Sequence, residues 1–241
     1  MPEALLYGLA ASSALLIGAI IGAYWGPPRA VIGTLLAFAS GALISALAFE
    51  LFEDAYRLGG ATRAGLGLLA GAAAFIAADS ILDRRVTGSW APRHREVARA
   101  GDAVGWALLA AVTLDGVPEN LALGVSLAGG GSVALLVAIF ASNLPEALVG
   151  AVAMRDQGRS RGFVVCIWAI CGVLLAAAVV LGDGLGSALG DSALAVALGF
   201  AGGAVLASLA DTLMPEAYAD GGPLTAFATA AGFFLSFVLA A

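Results

Sequence analysis

LAFASGALISALAFELFEDAYRLGG, residues 36–60, returns as LGFAGGAVLASLADTLMPEAYADGG at residues 198–222. At this offset of 162, twelve of the 25 positions are identical, including the less common pairs Phe38/Phe200 and Tyr56/Tyr218. A chain rich in Ala, Leu and Gly matches itself by chance at only a few such positions. Counting apolar stretches along the chain puts the first copy on the second stretch and the second copy on the seventh. The two copies are therefore expected to cross a membrane in opposite senses, as an inverted-topology repeat, a recurrent architecture of secondary transporters.

Composition requires the membrane. The 241 residues are 61% hydrophobic and 12% charged, against about 25% charged in soluble globular domains, and the mean hydropathy is +0.99. That is more apolar surface than one water-soluble core hides. Soluble enzymes and disordered chains are excluded. A pI near 4.6 excludes nucleic-acid binding, which needs a basic face.

A spanning helix takes about 20 mostly apolar residues. Eight fit, over about 4–26, 30–56, 62–83, 102–128, 132–155, 161–182, 192–218 and 222–241, as a single transmembrane domain. Gly129, Gly130 and Gly131 mark the break between the fourth and fifth. The N-terminus has no basic n-region and too long an apolar run for a cleaved signal peptide, so it is expected to be a retained span. Segment 84–100 (RRVTGSWAPRHREVARA) is polar enough for a true loop.

Arginine orients the bundle, because basic residues stay on the cytoplasmic side. The chain has no Lys. Arg29, Arg84, Arg85, Arg93, Arg95, Arg99, Arg155, Arg159 and Arg161 fall in connections on one side, and only Arg57 and Arg63 on the other. Both termini are therefore expected outside, with the Arg-rich loop 84–100 in the cytoplasm of a multi-pass inner-membrane protein. Cys166 and Cys171 sit roughly 140° apart on one helix, so they neither pair nor share a ligand site.

A second duplication lies between the first two copies. DGVPENLALG (115–124) matches SNLPEALVGA (142–151) at an offset of 27, superposing Pro118/Pro145, Glu119/Glu146 and Leu121/Leu148. The chain thus reads as 3 + 2 + 3, with the two Pro-Glu elements on adjacent antiparallel helices near the symmetry axis at mid-bilayer. An ionised carboxylate there costs several kcal/mol even on lenient scales. Asp115 and Glu119 share one face of the fourth helix, as Ser142 and Glu146 do on the fifth, with Asn143 beside them. Three acids without a basic neighbour repel or protonate, and a bound cation resolves this most simply. Pro118 and Pro145 each free the carbonyl four residues earlier, and the kinked backbone is expected to line the cavity. Glu50, Glu53 and Asp54 are expected at the outer mouth and Asp211 and Glu216 at the inner one, as entry and exit acids of the pathway or as interfacial helix ends.

These residues resemble the ZIP (Zrt/Irt-like) family of divalent metal transporters, over essentially the whole chain. Members carry HNxPEG-like motifs on helices 4 and 5, which stand here as DGVPEN and SNLPEA, and LMPEAY on helix 7 is similar to the family pattern. The resemblance implies a metal site of Asp115, Glu119, Asn143 and Glu146, with Ser142 in a histidine place. It also implies a homodimer in which helices 1, 4, 5 and 6 move against 2, 3, 7 and 8. Both motif histidines are absent, and an all-oxygen set favours harder ions such as Mn²⁺ over Zn²⁺.

The expected activity is transport of zinc, manganese, iron or cadmium as substrate, with no organic cofactor. Two alternatives stand beside it: a proton-coupled carrier of another cationic solute, and a family member that binds metal without moving it. An intramembrane enzyme is not expected, because HExxH is absent and the one histidine, His94, lies in the loop.

Overall fold

The computed structural model describes residues 2–86, 104–128 and 130–240, apart from the side chains of 82–86, 104–112, 114 and 115. Every regular element among the described residues is a helix: α1 (Pro2–Tyr24), α2 (Arg29–Ala46), α3 (Glu53–Val86), α4 (Val104–Leu127), α5 (Val133–Asp156), α6 (Arg161–Ala188), α7 (Asp191–Ser208), α8 (Met214–Gly221) and α9 (Leu224–Ala240). Among the described residues, five stretches are long and apolar enough to cross a membrane: Pro2–Tyr24, Arg29–Ile81, Val133–Asp156, Arg161–Ala188 and Asp191–Gly221. Leu181, Tyr218, Phe227 and Phe234 are all well exposed, a surface suited to lipid rather than water. The molecule is an all-helical protein with several helices able to span a bilayer. The loop expected over 84–100 overlaps the last turn of α3 at its first residues and otherwise lies outside the described residues.

The helices depart from the expected spans at two points, and the departures come as a matched pair. Between α2 and α3 the backbone winds as a π-helix over Leu47–Phe52, and between α7 and α8 it does so again over Leu209–Leu213. The two π turns start 162 residues apart, the offset of the sequence repeat. So do the next breaks, where Gly60 (φ 70°) and Gly222 (φ 61°) adopt the left-handed backbone that glycine tolerates best. A span expected as one helix over 30–56 is therefore α2, a π turn and the opening of α3. The prolines behave in the opposite way: α4 and α5 stay helical through Pro118 and Pro145. Each proline's missing N–H is absorbed within a continuous helix, and the irregular backbone sits in the 162-residue repeat.

The contacts between the copies fix their relative direction. Gly33, near the start of α2, packs on Gly221 at the end of α8, and Gly59, past the end of α2, packs on Ala195 near the start of α7. The pairs exchange under the 162-residue offset, and each joins the beginning of one copy to the end of the other. The copies run antiparallel.

Beyond the left-handed glycines the arms keep the same symmetry with the register shortened by one residue. Gly71 meets Phe200 and Gly232 meets Phe38, while Gly203 meets Leu68 and Gly41 meets Thr229. In each of these four the absent side chain lets one helix touch another's carbonyl.

Such close approaches divide the molecule in two. Among the described glycines, those facing another helix join α1, α4, α5 and α6 to one another, or α2, α3, α7, α8 and α9 to one another. Gly22 against Leu148 and Gly182 against Leu121 are an equivalent pair in the first group. Between the groups, α2 lies against α5 and α4 against α7, without backbone-to-backbone seating at any described glycine. The Pro-Glu elements belong to the first group, at its border with the second.

Candidate functional site

Glu119 stands in the middle of α4, and its side chain is only 1% exposed. A carboxylate removed from solvent that far needs donors or positive charge around it. One donor comes from the other Pro-Glu element: Ser142 of α5 directs its hydroxyl to Glu119 Oε2 at 3.0 Å. The same hydroxyl lies 3.0 Å from the carbonyl of Ile139 on its own helix, so one proton is divided between a carboxylate and a backbone oxygen. This bond ties the two duplicated motifs together across the α4–α5 seam.

Asn143, the next residue on α5, is fully buried. Its Nδ2 donates to the carbonyl of Ala11 on α1 at 3.2 Å, which identifies the amide's other end as the oxygen. That Oδ1 is shielded from solvent and accepts no hydrogen bond among the described residues. Both carboxylate oxygens of Glu146 are likewise shielded. Glu146 occupies the turn after Pro145, with Ser142 one turn earlier on the helix.

The sequence-derived set is therefore brought together in part. Glu119, Ser142 and Asn143 are buried polar residues at neighbouring positions of α4 and α5, and Ser142 bonds Glu119 directly. Asp115 lies on α4, but its side chain is outside the described residues. No three His, Cys, Asp or Glu side chains among the described residues lie close enough to hold one metal ion. The described members that the structure joins are a carboxylate and a hydroxyl, Glu119 and Ser142, with the Asn143 amide next to Ser142 on α5. Ser126, further along the same helix, turns its hydroxyl back onto the carbonyl of Leu123.

The acids expected at the two mouths lie on elements other than α4 and α5. Glu50 lies in the first π turn, and Glu53 and Asp54 open α3; Asp211 lies in the second π turn and Glu216 in α8. Glu53 and Asp211 are exposed, and the other three are half-buried. Asp54 sits 3.9 Å from Arg57 one turn on. Asp54 and Glu216 are equivalent under the 162-residue offset, one matched pair of acids in the two copies.

One buried polar residue of α4 next to the site residues in sequence was not singled out from the sequence. Asn120, directly after Glu119, is fully buried, and its Nδ2 donates to the carbonyl of Gly116 at 2.8 Å. Its signal was available, since at the offset of 27 it pairs with Ala147 and is polar where the other motif is apolar.

No protein-family model matches the chain, and no curated protein is significantly similar to it.

Proposed function

We propose that the protein carries divalent metal cations across a membrane through the site built on α4 and α5. The observation that carries this reading is the Ser142–Glu119 bond, which joins two duplicated Pro-Glu turns where antiparallel halves of the molecule meet. Around it lie shielded carboxylate oxygens and an amide oxygen with no donor among the described residues, all hard ligands in a chain without lysine. The division into two glycine-seated groups supports movement of the site-bearing group against the other.

In this reading eight helices cross the bilayer in a 3 + 2 + 3 arrangement, as the likeness to the ZIP family implies. Zinc, manganese, iron or cadmium is the substrate, Glu119 and Glu146 are the principal ligands with Asp115, and Asn143 adds a neutral oxygen. Glu50, Glu53, Asp54, Asp211 and Glu216 line the two mouths. Charge supports the orientation. Arg161 lies 4.9 Å over the ring of Tyr24, so the end of α1 and the start of α6 share one end of the molecule. Arg29, Arg155 and Arg159 belong to that end, which faces the cytoplasm with loop 84–100, leaving both termini outside. The working unit is a homodimer in the cell's inner membrane.

Uptake by the full-length protein in reconstituted vesicles tests the proposal. Zn²⁺, Mn²⁺, Fe²⁺ or Cd²⁺ is expected to accumulate with wild type and not with Glu119→Ala or Glu146→Ala. Metal-dependent thermal stabilisation without uptake would instead identify a binding protein that does not transport. Stabilisation by an organic cation and not by metal would identify a carrier of another solute.

A further inference from the structure

We infer that Asn120 belongs to the cation site, its side-chain oxygen taking the metal ion or a water that the ion carries; this rests on the function proposed above. Asn120 is sealed in the core of α4. The bond from its Nδ2 to the carbonyl of Gly116 leaves Oδ1 as the free end, shielded from solvent and accepting no hydrogen bond among the described residues. Leaving such an acceptor unsatisfied is costly, a cost that an apolar residue of the same shape avoids. A buried oxygen of this kind is accounted for by an ion or an ordered water at the site.

Symmetry supplies an independent argument. Asn143 on α5 has the same disposition, with Nδ2 fixed on the carbonyl of Ala11 and Oδ1 unsatisfied among the described residues. Its counterpart on α4 at the offset of 27 is Gly116. A Cβ there would lie 2.7 Å from Leu175 Cδ1, so the leucine occupies the room an asparagine would need. Asn120, one turn later, rests its amide on the Gly116 carbonyl. Its own counterpart, Ala147, packs its methyl against Gly18 of α1. Each Pro-Glu motif thus carries one buried amide, two residues before the proline on α5 and two after it on α4. In both, the nitrogen is held by a backbone carbonyl and the oxygen is left to accept. In this inference the two neutral oxygens join Glu119 and Glu146 in a hard donor set without adding negative charge.

The test measures Mn²⁺ affinity by calorimetry on the full-length protein in detergent, together with thermal stability without metal, for wild type, Asn120→Leu, Asn120→Asp and Glu119→Ala. Asn120→Leu is expected to keep or gain metal-free stability and to bind Mn²⁺ at least tenfold more weakly, the loss typical of groups that orient a metal site. Asn120→Asp is expected to restore binding. Wild-type affinity in Asn120→Leu with loss in Glu119→Ala overturns this inference and leaves the proposed function standing; wild-type affinity in both overturns the two together. Should Asn120→Leu lower metal-free stability, Asn120→Asp decides: restored affinity upholds the inference and unrestored affinity overturns it. Counting the waters on bound Mn²⁺ by magnetic resonance separates the modes. One more water in Asn120→Leu means direct ligation, and an unchanged number means contact through water.

Discussion

At the scale of single residues, the site is defined by what each polar group does with its second valence. Ser142 has one proton and two acceptors within reach, Glu119 and Ile139. A hydrogen bond to a charged group contributes about 1.5–3 kcal/mol, so removing the hydroxyl releases Glu119 from its orientation toward α5. Ser142→Ala is expected to raise the KM for Cd²⁺ uptake roughly tenfold at normal protein levels, and Ser142→Thr, which keeps the donor, to preserve it. Uptake by Ser142→Ala indistinguishable from wild type would show that the bond has no part in transport. Glu119, Glu146, Ser142 and Asn143 stand out in the sequence because each sits in a repeated motif. Asn120 has no identical partner in the other motif; what marks it is a difference between the two. The clash between position 116 and Leu175, which explains that difference, is a contact between residues 59 apart and has no trace in local pattern.

At the scale of elements, the repeat forecast more than its letters. Identity over 36–60 and 198–222 extends to a backbone irregularity: both copies wind into a π turn and both end on a left-handed glycine. Such turns are rare and concentrate at functional sites. Nothing in the composition of LAFELF or LADTL marks them, because an extra residue in a helical turn is selected by the packing on either side of it. A proline at membrane depth is tolerated when neighbours satisfy the freed carbonyl, and α4 and α5 remain helical through theirs. The glycine seatings give a test of symmetry at this scale. Gly41 against Thr229 and Gly203 against Leu68 are equivalent contacts in which an added methyl collides with a backbone carbonyl. Gly41→Ala and Gly203→Ala are expected to lower stability by similar amounts, about 1–3 kcal/mol each. Gly65→Ala, with open space around it, should leave the melting temperature unchanged or slightly higher. Unequal losses at the equivalent pair would mean that the two copies are not packed alike.

For the whole molecule, the architecture was legible as far as hydropathy and duplication reach: all-helical, apolar enough for the bilayer, with two copies in opposed directions. The pairing of the helices was not, because it joins segments far apart in sequence. Each of the first three helices finds its principal partners late in the chain: α1 on α5 and α6, α2 on α9 and α8, and α3 on α7. Loop-closure entropy must be overcome before such contacts reward the chain. Cutting the chain within 87–103 therefore leaves every one of these partnerships between two fragments. Fragments 1–90 and 91–241, made together in one cell, are expected to co-purify as a single particle, while fragment 1–90 alone should be degraded. Failure to co-purify would mean that the covalent connection is required for pairing. The same arrangement sets an order of events in biosynthesis. The N-terminal third leaves the ribosome before anything it can hold exists, and must wait in the lipid, unassembled, until the last helix has been made.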